Sequence, residues 1–177
     1  DKLKSIFVIP ELRQRILFTI GVLVIVRIGA HIPIPGVNGE TLAEAFTDMK
    51  TGLFGLFNTF VGGAFEKASL FSLGIMPYIS ASIIIQLLGA VVPYFQRLQK
   101  EGELGRKKII QLTRYGTVII ASLQSIGVAV FLSSFDSPAI VTNPGFYFYF
   151  VTIITLVTGV VFVMWLGEQI SDNGIGN

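Results

Sequence analysis

Few side chains in this sequence could carry out chemistry. The 177 residues include one histidine, His31, and no cysteine, which excludes disulfide bonds, thiolate metal sites, cysteine nucleophiles and a histidine-rich metal site. The sequence also lacks the Gly-x-Ser-x-Gly and His-Glu-x-x-His motifs and a phosphate-binding glycine loop that ends in Lys-Ser or Lys-Thr. We therefore expect no catalytic residue, no metal ion and no cofactor.

The composition is typical of a membrane protein. Hydrophobic residues make up 52% of the chain and charged residues only 14%, whereas soluble domains carry about 25% charged residues. Intrinsic disorder requires low hydrophobicity and a high net charge, and this chain has a formal net charge of +2 with a mean hydropathy of +0.72. A membrane protein is the remaining class.

Long intervals with few or no charges predict four membrane-spanning helices. About 20 helical residues cross the roughly 30 Å hydrocarbon layer of a bilayer. The first candidate has its helix from about Arg15 to His31 and contains Arg27, which we interpret as a structural anchor whose side chain reaches the interface. A secretory signal peptide is the alternative for this segment, but the apolar run continues into Pro33 without a cleavage site. The predicted spans are 16–34, 68–96, 115–135 and 146–167.

The distribution of Lys and Arg predicts the orientation. Most of the 13 basic residues lie in 1–15 and 97–114, and cytoplasmic flanks of spanning helices carry such an excess. We therefore expect segments 1–15, 97–114 and 168–177 on the cytoplasmic side, and loops 35–67 and 136–145 outside. The basic loop 97–114 could also contact anionic lipids or cytoplasmic partners.

Two segments are unusual for a membrane helix. Pro77 lacks an amide hydrogen and would crowd the carbonyl of Leu73, which predicts a weakened helix in the first half of the second span; a kinked helix packed through small residues is the alternative. The phenylalanine-rich and glycine-rich stretch 52–65 predicts a short helix or hairpin that dips partway into the membrane. An amphipathic segment on the membrane surface is the alternative there.

Several motifs, taken in order along the chain, resemble the SecY family, the central subunits of the bacterial protein-conducting channel. They are RIGAHIPIPG at 27–36, FNTFVGG at 57–63, LGIMPYISASIIIQLL at 73–88, KEGE at 100–103, TRYG at 113–116 and WLGEQISDNGIGN at 165–177. The resemblance implies an all-α, polytopic helix bundle: a ten-helix channel of two halves related by an inverted pseudo-twofold axis. This chain would supply helices one to four, and we expect it to be a fragment because the family continues beyond Asn177.

The resemblance also implies site residues. Ile75 and Ile79, one helical turn apart, would belong to an apolar pore ring that is hard to wet. Ser80, Gln86 and Gln124 would line a lateral gate. A plug that covers the ring at rest, with Asn58 and the paired glycines as a hinge, would comprise Phe57, Asn58, Thr59, Phe60, Val61, Gly62, Gly63, Ala64 and Phe65.

The function implied is passage of secretory proteins across the cytoplasmic (inner) membrane and of membrane proteins into it. The implied partners are SecE and SecG subunits, the SecA ATPase, the ribosome, the translocating preprotein with its signal sequence, and membrane lipids; no nucleic acid would be read directly. A secondary transporter with an inverted-repeat fold is the alternative, and it would need a buried ionisable or substrate-binding group. A purely structural subunit is the third reading.

Overall fold

The fold consists of helices joined by turns. A computed structural model describes residues 9–47, 52–135 and 140–176, and in those residues β-pairing is limited to two isolated bridges. The predicted all-α class is therefore confirmed. Parts of the predicted segments 1–15, 35–67, 136–145 and 168–177 lie outside the described residues. The helices are α1 Pro10–Gly29, α2 Gly39–Thr47, α3 Leu53–Phe60, α4 Met76–Val91, α5 Pro93–Lys100, α6 Glu103–Ser133 and α7 Phe146–Asn173.

Helices α6 and α7 form the main helix pair. With 31 and 28 residues, they are the two single helices in the described part of the chain that are long and apolar enough to cross a membrane. They pack along each other, and an ion pair joins them near one end. There the Nε and Nη2 atoms of Arg114 each donate a hydrogen bond of 2.8 Å to the carboxylate of Glu168, a bidentate geometry that fixes the two helices in register.

The second predicted span is interrupted at both ends. Helix α4 begins at Met76 instead of residue 68, and residues 68–75 form turns. At the other end the chain bends by 98° into α5, because Pro93 disfavours the helical conformation at Val92, which is extended with φ −92° and ψ 120°. The continuous helix predicted over 68–96 is therefore wrong, although α4 and α5 together could make a third, broken span.

Pro77 begins α4 and does not distort it. The proline lies in the first two positions of the helix, where the missing amide has no intrahelical partner to lose. Leu73, whose carbonyl was expected to be crowded, belongs to the preceding turns. The predicted weakening of a helix at this point is therefore wrong.

Three other boundaries differ from the prediction. Helix α1 begins at Pro10 and ends at Gly29, so the predicted span 16–34 is shifted. With Glu11, Arg13, Arg15 and Arg27 in 20 residues, α1 is not among the described helices apolar enough to cross a membrane on composition. The predicted basic loop 97–114 is largely helical because α6 already begins at Glu103, and α7 continues past residue 167 to Asn173.

Residues 61–75, which we call the buried turn segment, lie between α1 and α7. An added Cβ atom at Gly29 of α1 would overlap the ring of Phe71, and one at Gly159 of α7 would overlap the carbonyl oxygen of Leu70. Gly159 lies near the midpoint of α7. Non-helical backbone therefore reaches the middle of a membrane-length helix, and glycine is what allows the close approach.

We predict that Gly159→Ala destabilises the full-length protein by about 1–3 kcal/mol, because the new methyl group must displace the Leu70 carbonyl. Gly127→Ala in α6 is the matched control, since a Cβ there meets no atom within 4 Å. The control should be neutral or more stable by up to about 1 kcal/mol. The thermal unfolding midpoint of each purified variant measures the difference, and equal midpoints for the two variants would contradict the packing argument.

Candidate functional site

The buried turn segment is held by backbone pairing with the loop that follows α1. The amide of Ile34 donates to the carbonyl of Ala68 at 2.8 Å, and the amide of Leu70 donates to the carbonyl of Ile32 at 2.9 Å. These two bonds flank the isolated bridge between Pro33 and Ser69. The loop after α1 thus supplies hydrogen-bond partners that a helix would find within itself.

Two buried serines satisfy further backbone groups. Ser69 and Ser72 have no exposed surface. The hydroxyl of Ser72 donates to the carbonyl of Ser69 at 2.6 Å and lies 3.1 Å from the carbonyl of Ala64, while the amide of Phe71 donates to the hydroxyl of Ser69. The polar side chains at this point in an apolar stretch therefore serve the turns of the backbone.

The predicted plug, residues 57–65, is a closed loop. Its first part lies in α3, and the side chain of Asn58 then bridges to Glu66: Asn58 Oδ1 accepts from the Glu66 amide at 3.1 Å, and Asn58 Nδ2 donates to the Glu66 carboxylate at 3.0 Å. Gly62 and Gly63 have φ values of +65° and +79°, which disfavour any side chain. The hinge role of Asn58 stays a prediction, but in this state Asn58 fastens the loop.

One side of this loop borders an apolar groove of about 560 Å³. Phe57 and Phe65 contact each other edge to face at 5.2 Å between ring centroids, and Phe65 stacks on Phe131 of α6 at 6.5 Å. Gln124 and Leu73 line the same groove. The groove therefore lies between the loop and the last third of α6, and Phe65 contacts α6 at Phe131.

The other side of the loop borders a second cavity, of about 330 Å³, which contains Ile75. Phe60, Val61 and Gly62 line it together with residues of α1 and α7. Gly74 has φ +55°, and a Cβ atom added there would lie 3.0 Å from Cγ1 of Val61. Val61 therefore packs directly on the backbone beside Ile75.

The two predicted ring residues lie at the start of α4. Ile75 precedes the first helical residue, and its carbonyl accepts a 3.1 Å bond from the amide of Ile79, so both side chains project from the same side of the helix start. Their exposed fractions are 38% and 41%. Cδ1 of Ile75 lies 3.8 Å from an ideal Cβ position at Gly167, which places this side chain between the second cavity and α7.

Of the three predicted gate residues, one lines the apolar groove. Gln124 lines the apolar groove on α6, whereas Ser80 and Gln86 are not among the side chains that line it. On α4, Gln86 is exposed and donates to the hydroxyl of Ser82 at 3.1 Å. By helical geometry Gln86 lies about 20° around α4 from Ile79, while Ser80 is about 100° away. The helix thus carries Gln86 on the side of the isoleucines.

Arg27 has a contact that the sequence did not reveal. Its Nη1 donates a hydrogen bond of 2.9 Å to the carbonyl of Gly62, inside the predicted plug. The expectation was that Arg27 anchors the end of α1 at the interface. The only sequence signal was an isolated charge in an apolar run. His31, expected in a loop or at the interface, is exposed in the turns after α1 and contacts the Arg27 carbonyl at 2.8 Å.

Comparison with known proteins matches this chain to one family. A family model described as SecY matches residues 69–177. The protein translocase subunit SecY of Escherichia coli (strain K12) is 54% identical over 168 residues, which is 94% of this chain and 38% of that protein. The SecY subunit of Buchnera aphidicola subsp. Acyrthosiphon kondoi is 54% identical over 94% of this chain and 47% of its own length.

A third relative, the SecY subunit of Pseudomonas aeruginosa, is 50% identical over 169 residues, 96% of this chain and 38% of that protein. The chain therefore spans less than half the length of these curated relatives.

We predict that Asn58→Ala opens the loop. Loss of both bonds to Glu66 should raise the hydrogen-exchange rate of the Glu66 amide by roughly tenfold, the change expected for about 1–1.5 kcal/mol of lost stabilisation. Thr59→Ala is the matched control because its hydroxyl bonds only the Gly55 carbonyl within α3. Equal exchange at Glu66 in both variants would show that Asn58 does not close the loop.

Proposed function

The chain belongs to the SecY family, and from this premise we propose that it forms the first four membrane helices of a protein-conducting channel. The complete protein would be the central pore-forming subunit, with ten helices in two halves related by an inverted pseudo-twofold axis. It would move secretory proteins across the cytoplasmic membrane and membrane proteins into it. The chain itself would contribute four of the ten helices, including the plug and one side of the lateral gate.

In this proposal Ile75 and Ile79 supply part of the pore ring. Their apolar side chains retain exposed surface, and the missing half of the pore would face that surface. A constriction of such side chains is costly to fill with water and ions, yet it can yield to a polypeptide. The ring would therefore limit ion flow through its apolar surface alone.

Residues 57–65 would close the pore at rest. The observation that carries this role is the packing of Val61 against Gly74, directly beside Ile75. Phe60 and Val61 line the second cavity together with Ile75. Because the loop is closed by Asn58 and Glu66, it could leave this position as one unit.

The apolar groove beside Phe57 and Phe65 would form the inner part of the lateral gate. It borders α6 at Gln124 and Phe131, and its chemistry suits the apolar helix of a signal sequence on its way into lipid. Gln124 would provide one polar contact in an otherwise apolar lining. Ser80 and Gln86 would line the α4 side of the gate.

The proposed orientation places the amino terminus, α5 and the beginning of α6 in or near the cytoplasm. Exposed basic residues there would contact anionic lipid headgroups and, secondarily, the ribosome or the SecA ATPase; they are Arg97, Lys100, Arg106, Lys107 and Lys108. SecE-like and SecG-like subunits would complete the complex. The cargo would be an unfolded preprotein, with energy supplied by a partner.

The burial pattern does not favour a secondary transporter. Such a protein needs an ionisable or substrate-binding group near mid-membrane. Among the described residues, the buried polar side chains are all hydroxyls: Thr19, Ser69, Ser72, Thr113, Thr117, Ser125 and Thr152. Most of these hydroxyls bond to backbone carbonyls of the same chain.

We predict that replacing both ring residues, Ile75→Asn with Ile79→Asn, raises the ion conductance of the full-length channel in planar bilayers about tenfold, because polar side chains let the constriction fill with water. Export of a preprotein with a weakened signal sequence should also increase. Ile84→Asn is the matched control: it is a similarly exposed isoleucine about 140° around α4 from Ile79. Unchanged conductance in the double variant would refute the ring assignment.

We predict that deletion of residues 57–65 raises resting conductance, since Phe60, Val61 and Gly62 would no longer line the cavity beside Ile75. A matched pair of point variants isolates the contact: Val61→Asn should also leak because Val61 packs on Gly74, whereas Thr59→Asn should not because Thr59 is exposed. A membrane as tight with the deletion as with the unaltered protein would rule out the closing role.

A further inference from the structure

Arg27 joins the end of α1 to the predicted plug. The residue lies in the last turn of α1, and its guanidinium lines the second cavity together with Gly62 and Ile75. The Nη1–H group donates to the carbonyl of Gly62 over 2.9 Å. This side-chain hydrogen bond joins α1 to residues 57–65 and spans 35 positions of sequence.

The bond is placed where it can hold the whole loop. Gly62 lies near the tip of the loop that Asn58 and Glu66 close, and the amide of Gly63 donates to the Asn58 carbonyl at 2.8 Å. Fixing the tip of a closed loop fixes all of it. Gly62 has a left-handed backbone conformation, with φ +65°, which glycine adopts readily in a turn. In this turn the Gly62 carbonyl accepts the hydrogen bond from the guanidinium.

Arg27 and Gly62 are both exposed residues, and their hydrogen bond lies beside the second cavity. Arginine stays charged, so its guanidinium needs acceptors wherever it lies. The other residues that line the second cavity are apolar or glycine: Leu23, Val26, Ala30, Phe60, Val61, Gly62, Phe71, Gly74, Ile75 and Val163. When the loop moves away, the cation loses an acceptor and the Gly62 carbonyl loses a charged donor, and water must replace both.

We propose that Arg27 is a positioning residue that latches the plug in its closed state through the Gly62 carbonyl. This inference rests on the proposed function of residues 57–65. The latch sets the fraction of channels that are open without cargo, and it leaves the ring itself unchanged. Two contacts then act together. The packing of Val61 on Gly74 keeps the loop against the backbone beside Ile75, and the Arg27 bond holds the loop in that position.

The test uses the full-length complex in proteoliposomes and planar bilayers. Arg27→Gln should increase the open fraction at rest roughly tenfold, the loss expected for one charge-assisted hydrogen bond. Spin labels on cysteines introduced at the exposed positions Thr59 and Tyr147 report the position of the loop; the variant should add a population with an altered distance. Arg27→Lys, which keeps a charged donor, should restore most of the closed population.

Arg15→Gln is the matched control. Arg15 lies on the same helix and also donates to a backbone carbonyl, that of Gly174 at 3.2 Å, far from the loop in sequence. It should leave both conductance and distances unchanged. Equal leakage in the two Gln variants would overturn the latch, because it would indicate a general loosening of α1. Arg27→Gln with the conductance and distances of the unaltered protein would overturn it as well.

The deletion of residues 57–65 distinguishes failure of the Arg27 latch from failure of the closing role of residues 57–65. If the deletion leaks while Arg27→Gln stays tight, the latch is wrong and the closing role stands. If the deletion itself stays tight, the closing role is wrong and the latch falls with it.

Discussion

Non-helical backbone at membrane depth must find its hydrogen-bond partners inside the protein, and this requirement governs the structure. Residues 61–75 reach the midpoint of α7, where lipid offers neither donors nor acceptors. Their partners come from three sources: the loop at Ile32 and Ile34, the hydroxyls of Ser69 and Ser72, and neighbouring turns. Gly159 contributes by leaving room, because only a helix without a side chain at that point admits the Leu70 carbonyl.

The same requirement explains why α1 matters to a site formed mainly by α3 and α4. The loop after α1 pairs with the buried turns, the ring of Phe71 packs against Gly29, and Arg27 bonds to Gly62 in the proposed plug. Helix α1 has a higher density of charged residues than the other long helices, with four in 20 residues against five in 31 for α6 and two in 28 for α7. Its contacts nevertheless help to hold the non-helical backbone of residues 61–75 in place.

The sequence was informative where one physical signal dominated. The charge-free intervals predicted α6 and α7. The glycine pair at 62–63 was consistent with a backbone conformation of positive φ, which residues with a side chain rarely adopt. Hydropathy failed between residues 68 and 96, since an apolar run fits helix and buried turns equally well when the turns are shielded by protein. The proline at 77 was consistent with either a kink or a helix start, and Ser69 and Ser72 gave no indication of the carbonyls that they bond.

The direction in which each side chain points was the least predictable property of the site. The four-residue spacing correctly placed Ile75 and Ile79 on one side of α4, because local periodicity determines that relation. Which residues line the groove depends on how residues 57–73 pack against α6. Gln124 lies in the groove, and Ser80 and Gln86 lie elsewhere. The contact of Arg27 with Gly62 depends on a fold over 35 residues and left only an unexplained charge in the sequence.

The right-angle bend between α4 and α5 has a mechanical consequence. Leu98 of α5 is 2% exposed, and its carbonyl lies so close to α6 that a Cβ atom at Gly105 would overlap it. This corner joins one end of α4 to the start of α6 through a tight backbone contact. We therefore expect any separation of α4 from α6 to be smallest at the corner and to increase with distance from it.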